Sequence, residues 1–145
     1  VWAINPSNDS FKALMTKLKK YASEMAKAAG ISFEFNMDGN IPDEKLDMPQ
    51  RRNIYLICKE AVNNSAKYSR AERLGIRILE QGHFIVINIQ DNGVGFDTQN
   101  ISLGNGLINI KRRAEEIGAT LSVHSAPGEG SSVELKLGFE LTPKI

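Results

Sequence analysis

Three clusters of residues in this chain could do chemistry, and they follow one another in a set order. The middle one is Asp91-Asn92-Gly93-Val94-Gly95-Phe96, preceded by an alternating segment, Phe84 to Gln90, in which Ile85, Ile87 and Ile89 share a parity. Residues two apart lie on one face of a strand, so Asp91 is expected to point where the isoleucines point. A carboxylate at the edge of an apolar layer is costly unless it is satisfied, and water is its expected partner without a ligand. Two glycines then allow the backbone to bend and pass close to a bulky group. The plainer reading is a hairpin turn, because Asp-Asn-Gly suits the turn after any strand.

The first cluster lies on a helical pattern: about 100° per residue brings Glu60, Asn64, Lys67 and Tyr68 onto one flank of an apolar stripe. The amide oxygen of Asn64 is a hard donor suited to Mg²⁺, which keeps waters and takes few protein ligands. Lys67, one turn on, can neutralise a phosphate oxygen, and Tyr68 offers a ring edge and a hydroxyl to a base. The plainer reading is a solvated flank with pairs four residues apart. The third cluster, Gly104-Asn105-Gly106, runs straight into another helical pattern. Free N–H groups and the positive end of the helix dipole make such a start an anion site. Neither a P-loop nor a Rossmann glycine fingerprint occurs anywhere in the sequence.

These clusters need elements to hold them. Residues 1–8 read as a connector, and Ser7, Asn8 or Asp9 as the cap of a first helix. Its apolar set is Phe11, Leu14, Met15, Leu18, Ala22, Met25 and Ala29, and Gly30 ends it. Ile31, Phe33, Phe35 and Met37 alternate as a half-buried strand; Asp38-Gly39-Asn40 turns the chain; Ile41 to Met48 reads as a polar loop. A second helix begins around Pro49 with the set Ile54, Ile57, Cys58, Ala61, Val62 and Ser65. Strands follow from Leu74 to Glu80 and from Phe84 onward, then a short loop from Asp97 to Leu103. Leu107, Ile110, Ala114 and Ile117 form a third helix closed by Gly118. Two alternating strands, from Ala119 to Ser125 and from Ser131 to Phe139, are joined by the hairpin Pro127-Gly128-Glu129-Gly130. Period-2 strands imply a sheet with helices on one face and water on the other. The expected fold is a two-layer α/β sandwich, with a mixed, mostly antiparallel sheet of about five strands under three helices.

Composition excludes several classes. With 145 residues, 41% hydrophobic, the chain is long enough for one domain with a real core, here residues 9–145. A net charge of +1 with both signs interspersed argues against nucleic acid or an anionic membrane as a partner. The one cysteine, Cys58, lies in an apolar stripe, which favours a buried thiol over a nucleophile. One cysteine and two histidines cannot supply a usual metal cluster, and His83 and His124 read as surface residues. No run is long enough to span a membrane and no signal peptide is present. The start at Val1 without Met reads as a piece of a longer protein, and the expected location, by default, is cytoplasmic, as the cytoplasmic part of a membrane-anchored receptor.

Taken in order, Glu60-x-x-x-Asn64, Asp91-x-Gly93-x-Gly95 and Gly104-x-Gly106 resemble the ATP-binding domain of sensor histidine kinases. That superfamily, with the Bergerat fold, also includes DNA gyrase and the heat-shock chaperone ATPases. The run from Glu60 to Ser69 looks like its N box, and Asp91 to Phe96 like its first glycine box. Gly104 to Gly118, with Ser125 to Ser131, looks like the second glycine box and closing hairpin. The likeness extends from the first helix to about Leu137, and the short loop between glycine boxes is similar to the subgroup of nitrate and membrane-fluidity sensors.

The resemblance implies roles. Asp91 would accept from the adenine amino group, Asn64 would hold Mg²⁺ on ATP, Lys67 would lie near the phosphates and Tyr68 by the base. Gly93, Gly95, Gly104, Gly106 and Leu107 would shape the nucleotide loop, residues 97–103 its lid, and Ser131 would stand near the adenine. Glu60 occupies the position of the water-activating base in the hydrolytic relatives. The phosphorylated His of the family lies on a separate dimerising hairpin, so a homodimer and a response regulator are the implied partners. Two rivals share features: a serine kinase of the anti-sigma-factor type, which has the same Glu-x-x-x-Asn spacing, and a non-catalytic nucleotide-sensing module.

Overall fold

The computed structural model describes residues 10–43, 45–68, 70–95 and 106–138, the Tyr68 side chain excepted. The connector at 1–8, the lid at 97–103, Gly104 and the side chain of Tyr68 lie outside the described residues. So do the three expected cap residues, and the structure gives their part to another. Ser10 has extended backbone, and its Oγ accepts from the Ala13 N–H at 3.1 Å, capping helix α1, Phe11–Ala29. The cap falls there because Phe11 is fully buried and is already the first helical residue. Leu14, Met15, Leu18, Ala22 and Ala26 continue its buried stripe. Met25 only borders that stripe and Ala29 is exposed, since the row 18–22–26 runs at steps of four. Gly30 ends the helix in the left-handed conformation at φ 72°.

Strand β1 (Ser32–Met37) alternates as expected. The segment after it is more than a polar loop: Ile41 and Leu46 are buried, at 2% and 5% exposure. Asp43 Oδ1 accepts from the Lys12 N–H at 2.9 Å, so this segment also satisfies a donor of the first turn of α1. Helix α2 (Met48–Tyr68) begins with a reciprocal cap. The Gln50 N–H donates to Asp47 Oδ1 at 2.8 Å, and the Asp47 N–H donates to Gln50 Oε1 at 3.1 Å.

Strands β2 (Arg73–Gln81) and β3 (Phe84–Asp91) form an antiparallel hairpin. Helix α3 (Gly106–Glu116) precedes β4 (Thr120–Ser125) and β5 (Ser131–Gly138), also an antiparallel pair. The sheet order is β1-β2-β3-β5-β4, with β1–β2 its parallel pair, so β3 lies between two full ladders. The inward parity is the expected one: Leu74, Ile76, Ile78, Ile85, Ile87, Ile89, Val133, Leu135 and Leu137 are buried with the helix stripes in one core. The outer face departs from the expectation at one place. Val86, on the outward parity, is 1% exposed, between Leu79 and Lys136 across the two ladders. The ammonium of Lys136 lies 4.4 Å from the centre of the Phe84 ring on that same face. No helix among the described residues is long and apolar enough to cross a membrane.

Ser10 supplies the cap that the neighbouring residues were expected to supply. Ser10→Ala should therefore lower stability by about 1 kcal/mol, read as a shifted denaturant midpoint at unchanged slope.

Candidate functional site

Asp91 is the last residue of β3, paired with Leu74 on one side and Ser131 on the other. It is 4% exposed, and the protein itself satisfies its carboxylate, where water had been expected. The Ser65 hydroxyl donates to Oδ2 at 2.6 Å, the Ser131 hydroxyl donates to the same oxygen at 2.5 Å, and the Gly93 N–H donates to Oδ1 at 2.9 Å. Hydrogen bonds to an ionised group contribute about 1.5–3 kcal/mol each, and here they offset burial of the charge. Ser131 stands at the inward position its parity implied. Ser65, itself 4% exposed, is the residue sequence reasoning undervalued. The available signal was a hydroxyl within an apolar stripe, which needs a buried partner.

The residues after Asp91 form more than a turn. Asn92 Oδ1 accepts from the N–H groups of Glu72 and Arg73, at 2.9 and 2.8 Å, and so fixes the entry into β2. Gly95 has φ 68°, and a Cβ there would lie 2.0 Å from the Ala126 carbonyl oxygen. The Gly128 N–H donates to the Val94 carbonyl at 2.5 Å, and Ser125 Oγ donates to the Gly130 carbonyl at 2.8 Å. A Cβ at Gly130 would lie 2.3 Å from the Asp91 carbonyl oxygen. The β4–β5 hairpin thus lies backbone to backbone on the segment 91–95, as only glycines permit.

On α2, Glu60 and Asn64 are half-buried on one flank and Lys67 is exposed. The first residue of α3 abuts that flank: a Cβ on Gly106 would lie 2.6 Å from Glu60 Oε1 and 3.8 Å from Asn64 Nδ2. Leu107 follows, packed against the core's edge. The structure therefore brings Glu60, Asn64 and Gly106 together, and separately Asp91, Gly93, Ser131 and Ser65. Two further contacts brace α2. The Asn53 amide, 6% exposed, donates to Glu116 and accepts from Arg113, both at 3.3 Å, tying α2 to α3. The Tyr21 hydroxyl donates to Asn63 Oδ1 at 2.5 Å, tying α1 to α2. Burial holds the Tyr21 phenol above its ordinary pKa; the Asn63 bond opposes this, and the Glu60 charge adds to it.

Burial pushes the Cys58 thiol up to about 12, so it is a core residue and no nucleophile at neutral pH. His83 and His124 are exposed, as expected. Among the described residues, no group of three or more His, Cys, Asp or Glu side chains could hold a metal.

Comparison with known proteins gives a family and a fold. Residues 50–141 match the family model described as histidine kinase-, DNA gyrase B-, and HSP90-like ATPase. The sensor protein VraS of Staphylococcus haemolyticus is 32% identical over 98 residues, which cover 67% of this chain and 28% of that protein. VraS of Staphylococcus aureus strain COL is 31% identical over 97 residues, covering 66% and 28%. The chain thus spans little more than a quarter of the length of these relatives. Among solved structures, the Acinetobacter baumannii histidine kinase AdeS superposes with a TM-score of 0.73 at 20% identity, covering 90% of this chain and 66% of that one. The catalytic domain of histidine kinase ThkA gives 0.71 at 15% identity, covering 89% and 93%. At such identities the likeness is one of fold.

Two glycines of the hairpin contact separate conformational strain from lack of space. Gly128 has φ 81° with nothing within 4 Å of a Cβ, whereas Gly95 is short of both. Gly128→Ala should cost about 1–2 kcal/mol. Gly95→Ala should cost well beyond that, in the same denaturation measurement.

Proposed function

The chain belongs to the histidine kinase-, DNA gyrase B-, and HSP90-like ATPase family, and on that premise we propose that it binds Mg-ATP and presents the γ-phosphoryl group to a histidine outside this chain. Its fold is that of the catalytic domains of histidine kinases. The observation that carries the reading is the buried Asp91 carboxylate, held by Ser65, Ser131 and Gly93 at the end of β3. A charge of this kind, oriented by three donors, is a recognition element kept in place before any ligand arrives.

In this reading Asp91 accepts from the adenine amino group, Ser131 lies close by, and Tyr68 borders the base. Gly93, Gly95, Gly104, Gly106 and Leu107 shape the loop around the nucleotide. Asn64 suits a magnesium ion: its amide is half-buried and receives no hydrogen bond from the described residues. With no group of three or more His, Cys, Asp or Glu side chains among the described residues to hold it, such an ion would take its remaining ligands from phosphate and water. The ion would supply charge neutralisation on the phosphates, and Lys67 would add to it from the next turn. Glu60, beside Asn64, orients the polar flank against Gly106. Phosphoryl transfer then rests on positioning and neutralisation: the bond from γ-phosphorus to the β-phosphate oxygen breaks, a bond to the acceptor imidazole forms, and ADP leaves.

The acceptor would lie on a dimerisation domain, with a response regulator as the next recipient, in a cytoplasmic part of a sensor protein. Similarity to sensor proteins and histidine kinases supports this acceptor over the hydroxyl of a serine-kinase substrate. Residues 1–8 would be the connector toward that domain.

Three measurements test the proposal. The chain should bind Mg-ATP yet gain no acid-labile phosphate on His83 or His124; label on either would overturn the assignment of an external acceptor. Asn64→Ala should weaken Mg-ATP well beyond adenosine, whereas equal weakening would make Asn64 a structural residue. Asp91→Asn, shown folded by a thermal melt, should bind ATP about tenfold to a hundredfold more weakly. Unchanged affinity in the folded variant would place the nucleotide elsewhere.

A further inference from the structure

An ionised carboxylate has about four acceptor positions, two on each oxygen. At Asp91 three of them are filled by the protein. Ser65 and Ser131 both donate to Oδ2, which fills that oxygen, and the Gly93 N–H takes one position on Oδ1. Among the described residues nothing else donates to it, and one position on Oδ1 remains. The hydroxyls have spent their only hydrogens on the carboxylate, so what this buried cluster offers a ligand is a single charged acceptor.

That count bears on which purine the site can take. Adenine places one amino group at its pairing edge, next to a ring nitrogen that carries no hydrogen. Guanine places a ring N–H and an amino group side by side, a pair of parallel donors that fits a carboxylate with both oxygens open. An unencumbered aspartate would therefore be a good guanine receptor, in the two-pronged manner in which carboxylates take guanidinium. With Oδ2 filled, the second guanine donor meets an oxygen that has nothing left to give. A buried donor left without a partner is penalised more than a made bond is rewarded.

We propose that Ser65 is a positioning residue that sets base specificity, by filling Asp91 Oδ2 so that the carboxylate takes one donor, from adenine, and rejects the paired donors of guanine. This rests on the reading of Asp91 as the base-recognition residue. Ser65 suits the task because it is fixed twice: its backbone lies within α2, and at 4% exposure its side chain is sealed from competing water. The 2.6 Å bond joins α2 to β3, residues 26 apart in sequence, so the setting of the helix against the sheet is built into the base pocket.

The test is titration of the 145-residue chain with ADP and GDP, in the presence of Mg²⁺, for the wild type and two variants. The wild type should prefer ADP. Ser65→Ala leaves one open position on each carboxylate oxygen, so GDP should tighten relative to ADP and the preference should fall about tenfold, the size of one such bond. Ser65→Thr keeps the hydroxyl and should restore the preference. Ser131→Ala frees the same oxygen from the far side and should move the ratio in the same direction, which keeps the test available if Ser65→Ala does not fold. If folded Ser65→Ala or Ser131→Ala binds both nucleotides more weakly by one common factor, or leaves the ratio unchanged, Ser65 is a structural hydroxyl and the proposal falls. If the wild type binds neither nucleotide, the functional reading falls first and takes this proposal with it. A wild type that binds ADP with an unmoved ratio in the variants overturns only the role of Ser65.

Discussion

The energetics of this molecule turn on one buried charge. Asp91 stands at the end of an isoleucine-lined strand, where an unsatisfied carboxylate would oppose folding. Three donors from three parts of the chain converge on it: a helix hydroxyl, a neighbouring-strand hydroxyl and the backbone N–H of the following turn. Each donor requires its own element to be in register. Ser65 reaches the carboxylate only if α2 lies at the right rotation over the sheet. Ser131 reaches it only if β5 pairs with β3 in the observed register, Asp91 opposite Ser131. The charge therefore acts as a gauge of correct assembly, and a slip of one residue in either contact would leave it buried with one donor fewer.

The glycine turn completes this arrangement from the backbone side. Asn92 ties the start of β2, and the segment 91–95 carries the β4–β5 hairpin directly on it. The helical layer is fastened in a similar way. Tyr21 and Tyr55 meet edge to face at 6.3 Å in the α1–α2 groove, with Lys17 and Lys59 ammonium groups against the two rings. Asn53 then joins α2 to α3 through a buried amide that both gives and takes a hydrogen bond. The flank bearing Glu60 and Asn64 is thus braced by polar contacts to α1 and to α3.

Much of this was legible in the sequence because it is local. Alternation gave the inward isoleucines and the side on which Asp91 and Ser131 lie, and Gly30 ended the first helix where its spacing said. The polar flank of α2 followed from helical geometry alone. What escaped was non-local. Ser65 read as one more small residue in an apolar stripe, because its partner is 26 residues away and on another element. Asn53 gave no sign of Arg113 or Glu116, some 60 positions on. The cap of α1 falls on Ser10 and not on Ser7, Asn8 or Asp9, since all four suit the task and only the burial of Phe11 selects among them. The segment from Ile41 to Leu46 looked polar on average, and two apolar anchors were enough to bury its course.

The sheet order has a further meaning for how long each half of the site endures. β3 lies between β2 and β5, with both ladders formed along its length, so the floor beneath Asp91 opens only when the sheet itself comes apart. Helix α3, with the Gly106 corner, is an 11-residue helix packed on α2 and β4, and it takes part in no strand ladder, so parting it from them would leave the sheet's pairing intact. The two halves therefore run on different clocks. On the proposed reading, the half assigned to the base would share the lifetime of the whole fold, and the half assigned to the phosphates could open within it.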